Sequence, residues 1–179
     1  MKFKEILVVL LVILSVILLS VLVITKADAS DDPYNQIELS TYNYVLNGTQ
    51  NNSYDTVAKV ALDAAGIVGV QLFIQELSES AKSQFDGELK AHVRYFNGQF
   101  YLFISDLSHK EAIDVISHEV VHIQQYLCGD FVYDQSNGDT YWKGERYYPE
   151  NIPYERRPWE DDAFYTQGSI SDKVSSILY

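Results

Sequence analysis

The chain is almost without cysteine. Cys128 is the only one in 179 residues, so no internal disulfide can form, and the fold has to be held by a hydrophobic core. The length allows one domain with such a core once the N-terminus is set aside. Basic residues are also scarce, 13 Lys and Arg against 25 Asp and Glu, for a net charge of −12. Nucleic-acid partners need Lys and Arg to displace counterions from phosphates, so this balance argues against them. No internal repeat is present, which excludes a solenoid.

The N-terminus differs from the rest. Residues 6–24 carry no charge, are interrupted only by Ser15 and Ser20, and follow Lys2 and Lys4. A helix of that length, rising about 1.5 Å per residue, nearly spans a hydrocarbon core of about 30 Å. Ala27-Asp28-Ala29 matches a signal-peptidase site, so residues 1–29 are either a cleaved signal peptide or an uncleaved signal anchor. The run exceeds the usual signal core of about 7–15 residues, which favours the anchor. In both cases the basic residues before the run and Asp28, Asp31 and Asp32 after it put the remainder on the exported side of a membrane.

Residues 30–53, rich in Asp, Asn, Ser and Thr, read as a polar tether, and residues 54–179 as the domain. Asp55 is placed to cap a helix running to about Ala65, closed by Gly66. Val70, Leu72 and Ile74 alternate with Gln71, Phe73 and Gln75, as in a strand. Two strand-like runs then flank Asn97-Gly98, a type I′ hairpin signal. Ser108 and Glu111 form a capping box opening a helix to about Cys128, with Gly129 suited to the position just past its end. Ile113, Ile116, Val120, Ile123 and Leu127 make its apolar stripe, and His118 and His122 lie on another face. A Pro- and Tyr-rich irregular segment leads to Pro158, which starts a last helix that Gly168 is expected to interrupt. Helices and strands in one domain, with the strands grouped before the motif helix, make the expected fold α+β.

Residues 118–122 read His-Glu-Val-Val-His. Two His at i and i+4 on one helical face can each offer a ring nitrogen to the same ion, about 2.0–2.1 Å away for zinc. Glu119 is turned about 100° from His118 around the helix. It is therefore better placed to take a proton from a water that zinc has acidified than to be a ligand. His92 and His109 lack ligand spacing and read as structural or exposed. Some such sites continue to a Gly and a third His, but Gln125 and Cys128 occupy those positions here. Cys128 then reads as a small buried residue. The remaining arrangement takes a Glu from a later helix.

The stretches "HEVVHIQQ", "YWKG" and "YERRPWEDDAF" resemble small bacterial and phage zincin-like metallopeptidases of the gluzincin type, over roughly residues 100–165. In these the motif helix is followed by an aromatic-rich loop and a Pro-x-Glu-x-x-Ala helix. The resemblance implies a small mixed or antiparallel sheet packed on the motif helix, a C-terminal ligand helix, and a zinc ion. It implies His118, His122 and Glu160 as ligands and Glu119 as the base. It also implies Asp162, where relatives often carry Glu, as a carboxylate orienting a ligand imidazole from behind. Glu155 is the competing third ligand; a helix holds a ligand better than a loop does, which favours Glu160.

Tyr141, Tyr147, Tyr148, Tyr154 and Arg157 are candidate donors to a developing oxyanion. The strand at 99–105 is a candidate for pairing with an extended substrate. The expected activity is zinc-dependent hydrolysis of a peptide or protein on the exported side of a membrane. The alternative is a non-hydrolytic zinc-binding interaction protein on the same scaffold.

Overall fold

A computed structural model of the chain describes residues 43–78, 80, 82, 89–134 and 136–179. The apolar segment 6–24, its cleavage or retention, and the tether up to residue 42 lie outside the described residues. All the described residues fall within one compact unit, Ser40–Tyr179.

The fold is mixed α+β. Strand β1 (Tyr44–Asn47) leads through helix α1 (Tyr54–Ala64) to β2 (Gln71–Glu76), and the two strands pair in parallel. The tether expected up to residue 53 therefore gives way earlier, because Val45 is buried and seats against Leu72. Helix α1 starts at Tyr54 rather than being capped by Asp55. Ser53 precedes it with its hydroxyl spent on Asn51 Oδ1 (2.7 Å), and Asp55 lies in the first turn, 3.5 Å from Lys59 Nζ.

The hairpin forms where Asn97-Gly98 indicated. Strands β3 (Ala91–Phe96) and β4 (Gln99–Ile104) are antiparallel, and Asn97 and Gly98 take φ of 50° and 79°. The sheet order is β1-β2-β4-β3, with β4 parallel to β2. Strand β4 is thus central, and among the described residues β1 and β3 are the edges of this sheet. The strand at 99–105, a candidate for pairing with an extended substrate, is flanked on both sides and offers no free edge. Leu102 and Ile104 are completely buried, as suits a strand flanked on both sides.

Helix α2 (His109–Cys128) opens with the capping box: Ser108 Oγ accepts from the Glu111 amide at 3.4 Å, and Glu111 Oε2 accepts from Ser108 N at 3.3 Å. It closes at Gly129, whose φ of 75° suits a residue without Cβ. The expected stripe is buried from Ile113 to Ile123, but it outruns the core by one turn. Leu127 is 53% exposed, and Cys128, expected to be buried, is exposed too. Tyr126 fills that end instead, its ring 6.1 Å from Phe100 and 4.9 Å from Phe131.

A small antiparallel sheet follows, β5 (Phe131–Asp134), β6 (Asp139–Trp142) and β7 (Glu145–Tyr147), then two 3-10 turns at Pro149–Asn151 and Tyr154–Arg156. Helix α3 (Pro158–Leu178) is continuous through Gly168, against expectation, because Ile170 and Val174 beyond it are buried in the core with Ala163 before it. Packing overrides a local cost of roughly 0.5–1 kcal/mol. A Cβ at Gly168 would meet nothing within 4 Å. Gly168→Ala is therefore expected to stabilise the protein by about 0.5–1 kcal/mol, read as a raised denaturation midpoint; an unchanged or lower midpoint would contradict it.

Candidate metal centre

Helices α2 and α3 pack directly on each other, and the site lies between them. One helical turn separates His118 from His122, and their ring planes are 86° apart with centroids at 4.8 Å. Their Nε2 atoms are 3.2 Å apart. Pro158 starts α3, and two residues on, Glu160 is buried in its first turn. Its Oε2 lies 3.2 Å from His118 Nε2 and 3.3 Å from His122 Nε2.

Two glutamines settle which ring nitrogens carry hydrogen. Gln125 Nε2 donates to Trp159 O and to Asp162 Oδ2, both at 2.9 Å, so its Oε1 is what faces His122 Nδ1 at 2.8 Å. Gln167 Oε1 lies 2.7 Å from His118 Nδ1. An amide oxygen only accepts, so both Nδ1 atoms are N–H donors. With each Nδ1 engaged, both Nε2 atoms turn toward each other and toward the same carboxylate oxygen. A single proton can bridge only one pair of these atoms, whereas a cation can satisfy all three. The observed separations are also close to the about 3.3–3.4 Å between corners of a tetrahedron around zinc with bonds of 2.0–2.1 Å. His118, His122 and Glu160 thus form a buried group that could hold a metal ion.

The electrostatics agree. Burial alone would lower the pKa of His122, but the hydrogen bond to Glu160 and the charges of Glu119 and Glu160 outweigh it and raise it to about 9. Burial likewise opposes ionisation of Glu160, yet His118 and His122 against its Oε2 hold its carboxyl well below the usual range. Below about pH 9 the metal-free site keeps a proton on His122 that a bound metal would have to expel. If the group holds zinc, its affinity is expected to fall as the pH drops from 8 to 6, by up to about tenfold per unit. Calorimetry in buffers of different ionisation heats should find about one proton released per zinc in that range; none released would refute the shared-proton site.

Glu119 is not part of the ligand group. It is 5% exposed, and its Oε2 has no hydrogen-bond partner among the described residues. Burial raises its pKa, only partly offset by His122 and His118 and by the backbone N–H of Val93 on the edge strand. An unpaired buried carboxylate oxygen costs stability, so its position calls for a role other than packing.

The group opens into a cleft of about 770 Å³ between β3, α2 and the segment leading into α3. Of the five candidate oxyanion donors, Tyr154 and Arg157 line it. Burial, then the charge of Glu160, pushes Tyr154 far up, so its hydroxyl keeps its proton. Tyr141 and Tyr147 are turned to Asp139 and Glu145, and Tyr148 lies under Arg146. Glu155 is exposed at the cleft mouth in the turn Tyr154–Arg156, outside the ligand group. Asp162 does not touch an imidazole; Gln125 stands between it and His122. His92 stacks on Phe103 at 5.0 Å and lines the cleft, and burial followed by Arg94 lowers its pKa to about 4. Sequence reasoning missed Gln167 altogether. Its signal was spacing, seven residues past Glu160 and so two turns along the same face of α3.

The chain matches no protein-family model and no curated protein. Among the described residues no helix is long and apolar enough to cross a membrane.

Proposed function

We propose that the chain is a zinc-dependent peptidase built on a zincin-like α+β domain, akin to the small gluzincin-type enzymes its motifs resemble. What carries the reading is the orphaned, buried oxygen of Glu119 beside three donor atoms converging from two helices. Zinc, when held by His118, His122 and Glu160, supplies a Lewis acid and lowers the pKa of coordinated water to about 7. Glu119 takes the proton of the attacking water and returns it to the leaving amine, and its raised pKa suits both transfers. Tyr154 and Arg157 offer donors to the carbonyl oxygen as charge develops there. Gln125 and Gln167 hold the imidazoles with Nε2 facing inward.

The free edge of β3 borders the cleft and lets an extended peptide or protein segment add as a further strand. With residues 6–24 as a membrane anchor or export signal, the domain works on the exported side.

The test is zinc content and turnover of the full chain. One zinc per molecule and cleavage of an unfolded protein, lost on chelation and restored by zinc, are expected. One zinc with no turnover across a broad peptide library would favour the non-hydrolytic alternative. A folded protein that binds no zinc would end both readings.

A further inference from the structure

The outward face of the four-stranded sheet is chemically unlike the rest of the molecule. Register places Tyr44, Leu46, Phe73, Tyr101, Phe103 and Phe96 on it. Its other positions are three glutamines, His92 and Arg94. None is acidic, in a chain with 25 Asp and Glu. The rings touch in a row across the strands: Tyr44 lies 6.5 Å from Phe73, which stacks on Tyr101 at 5.3 Å, and His92 stacks on Phe103 at 5.0 Å. Among the described residues no element covers this face, since the helices bury the other one. Tyr44, Leu46 and Phe96 remain 54%, 48% and 51% exposed. Apolar surface this continuous marks an interaction site.

We propose that this face rests on the surface of a phospholipid bilayer. The proposal rests on the reading of residues 6–24 as a membrane anchor, and two observations favour the bilayer as occupant. First, the chain outside the description ends at residue 42, beside β1, which is one border of the face. Residues 25–42 reach at most roughly 60 Å, so an anchored domain stays where this face can meet the membrane. Second, the composition fits the interface. Aromatic rings favour the headgroup level, Arg94 can pair with lipid phosphate, and the missing carboxylates leave nothing for an anionic surface to repel. His92 and Arg94 belong both to this face and to the cleft wall. Docking would therefore hold the cleft mouth beside the bilayer, where it meets membrane-proximal segments of other chains.

The test uses the full chain in phosphatidylcholine vesicles carrying a nitroxide lipid, with Cys128→Ser to remove the native thiol. A fluorophore is attached through Gln75→Cys or Gln99→Cys on the face, or through Asp172→Cys on α3 as control. All three positions are polar and outside the core. The face labels are expected to be quenched at least about threefold more strongly than the control, as for side chains seated 5–10 Å into the interface. Adding Tyr44→Ser and Phe96→Ser should roughly halve that difference, because two of the seated rings are gone. Equal quenching of all labels in protein that floats with the vesicles overturns the docking, as does energy transfer showing face-to-face pairing of two copies. Failure to float overturns the anchor and the docking with it. No hydrolysis is measured, so the peptidase reading stands or falls separately.

Discussion

Glu119→Gln is expected to bind zinc as the parent does and to lose about 10²–10⁴-fold in kcat. The amide keeps the size and reach of the carboxylate but cannot take a proton from water. It removes the transfer and leaves the ligand group intact, since Glu119 is not part of it. Thermal stability should not fall, because burial already disfavours the charged form of Glu119 and leaves one of its oxygens unpaired. Metal content, kcat and Tm of the one variant therefore separate three explanations. Near-parental kcat would remove Glu119 from the mechanism, and loss of zinc would make it a structural element of the metal site.

The second large effect concerns the metal itself. Glu160→Ala removes the one carboxylate that, among the described residues, touches both imidazoles, and leaves their Nε2 atoms facing each other at 3.2 Å. Zinc affinity is expected to drop by well over about a hundredfold, beyond the 10–100-fold typical of losing an outer partner. Gln125→Leu, which frees His122 Nδ1, should fall within that smaller range. Glu155→Ala should leave affinity unchanged, because Glu155 lies in an exposed turn outside the group. Competition titrations against a zinc-sensitive dye would rank the three. Equal losses for Glu155 and Glu160 would mean that the ligand is not the one the helix holds.

Local signals were the most legible part of the sequence. The hairpin at Asn97-Gly98 and the capping box at Ser108 depend on neighbours within four residues, and both are present as read. The spacing of His118 and His122 is likewise fixed by one helical turn. Glu160 needed more: nothing near it in sequence says that it meets His118, and its place came from a resemblance between motifs. What could not be read was long-range competition. Strand order in a mixed sheet depends on which edges find partners, and nothing within residues 99–105 shows that β2 closes off their other side. Gly168 has poor helix propensity, yet burial of Ile170 and Val174 carries the helix through it. Asp162 has the right chemistry to hold an imidazole, but Gln125, fixed by Trp159 O as well, reaches His122 first.

The ligand group joins α2 to α3 across an excursion, from His122 to Glu160, that contains the whole β5–β7 sheet. In a chain with one cysteine, an ion at that junction would act as a reversible cross-link closing this loop. A covalent bridge over a loop of similar length restricts the unfolded ensemble by on the order of 3–4 kcal/mol. Any stabilisation by zinc would instead scale with its free concentration relative to Kd. Loaded and empty molecules would then differ in lifetime as well as in chemistry, and the supply of the ion would set how much folded protein persists.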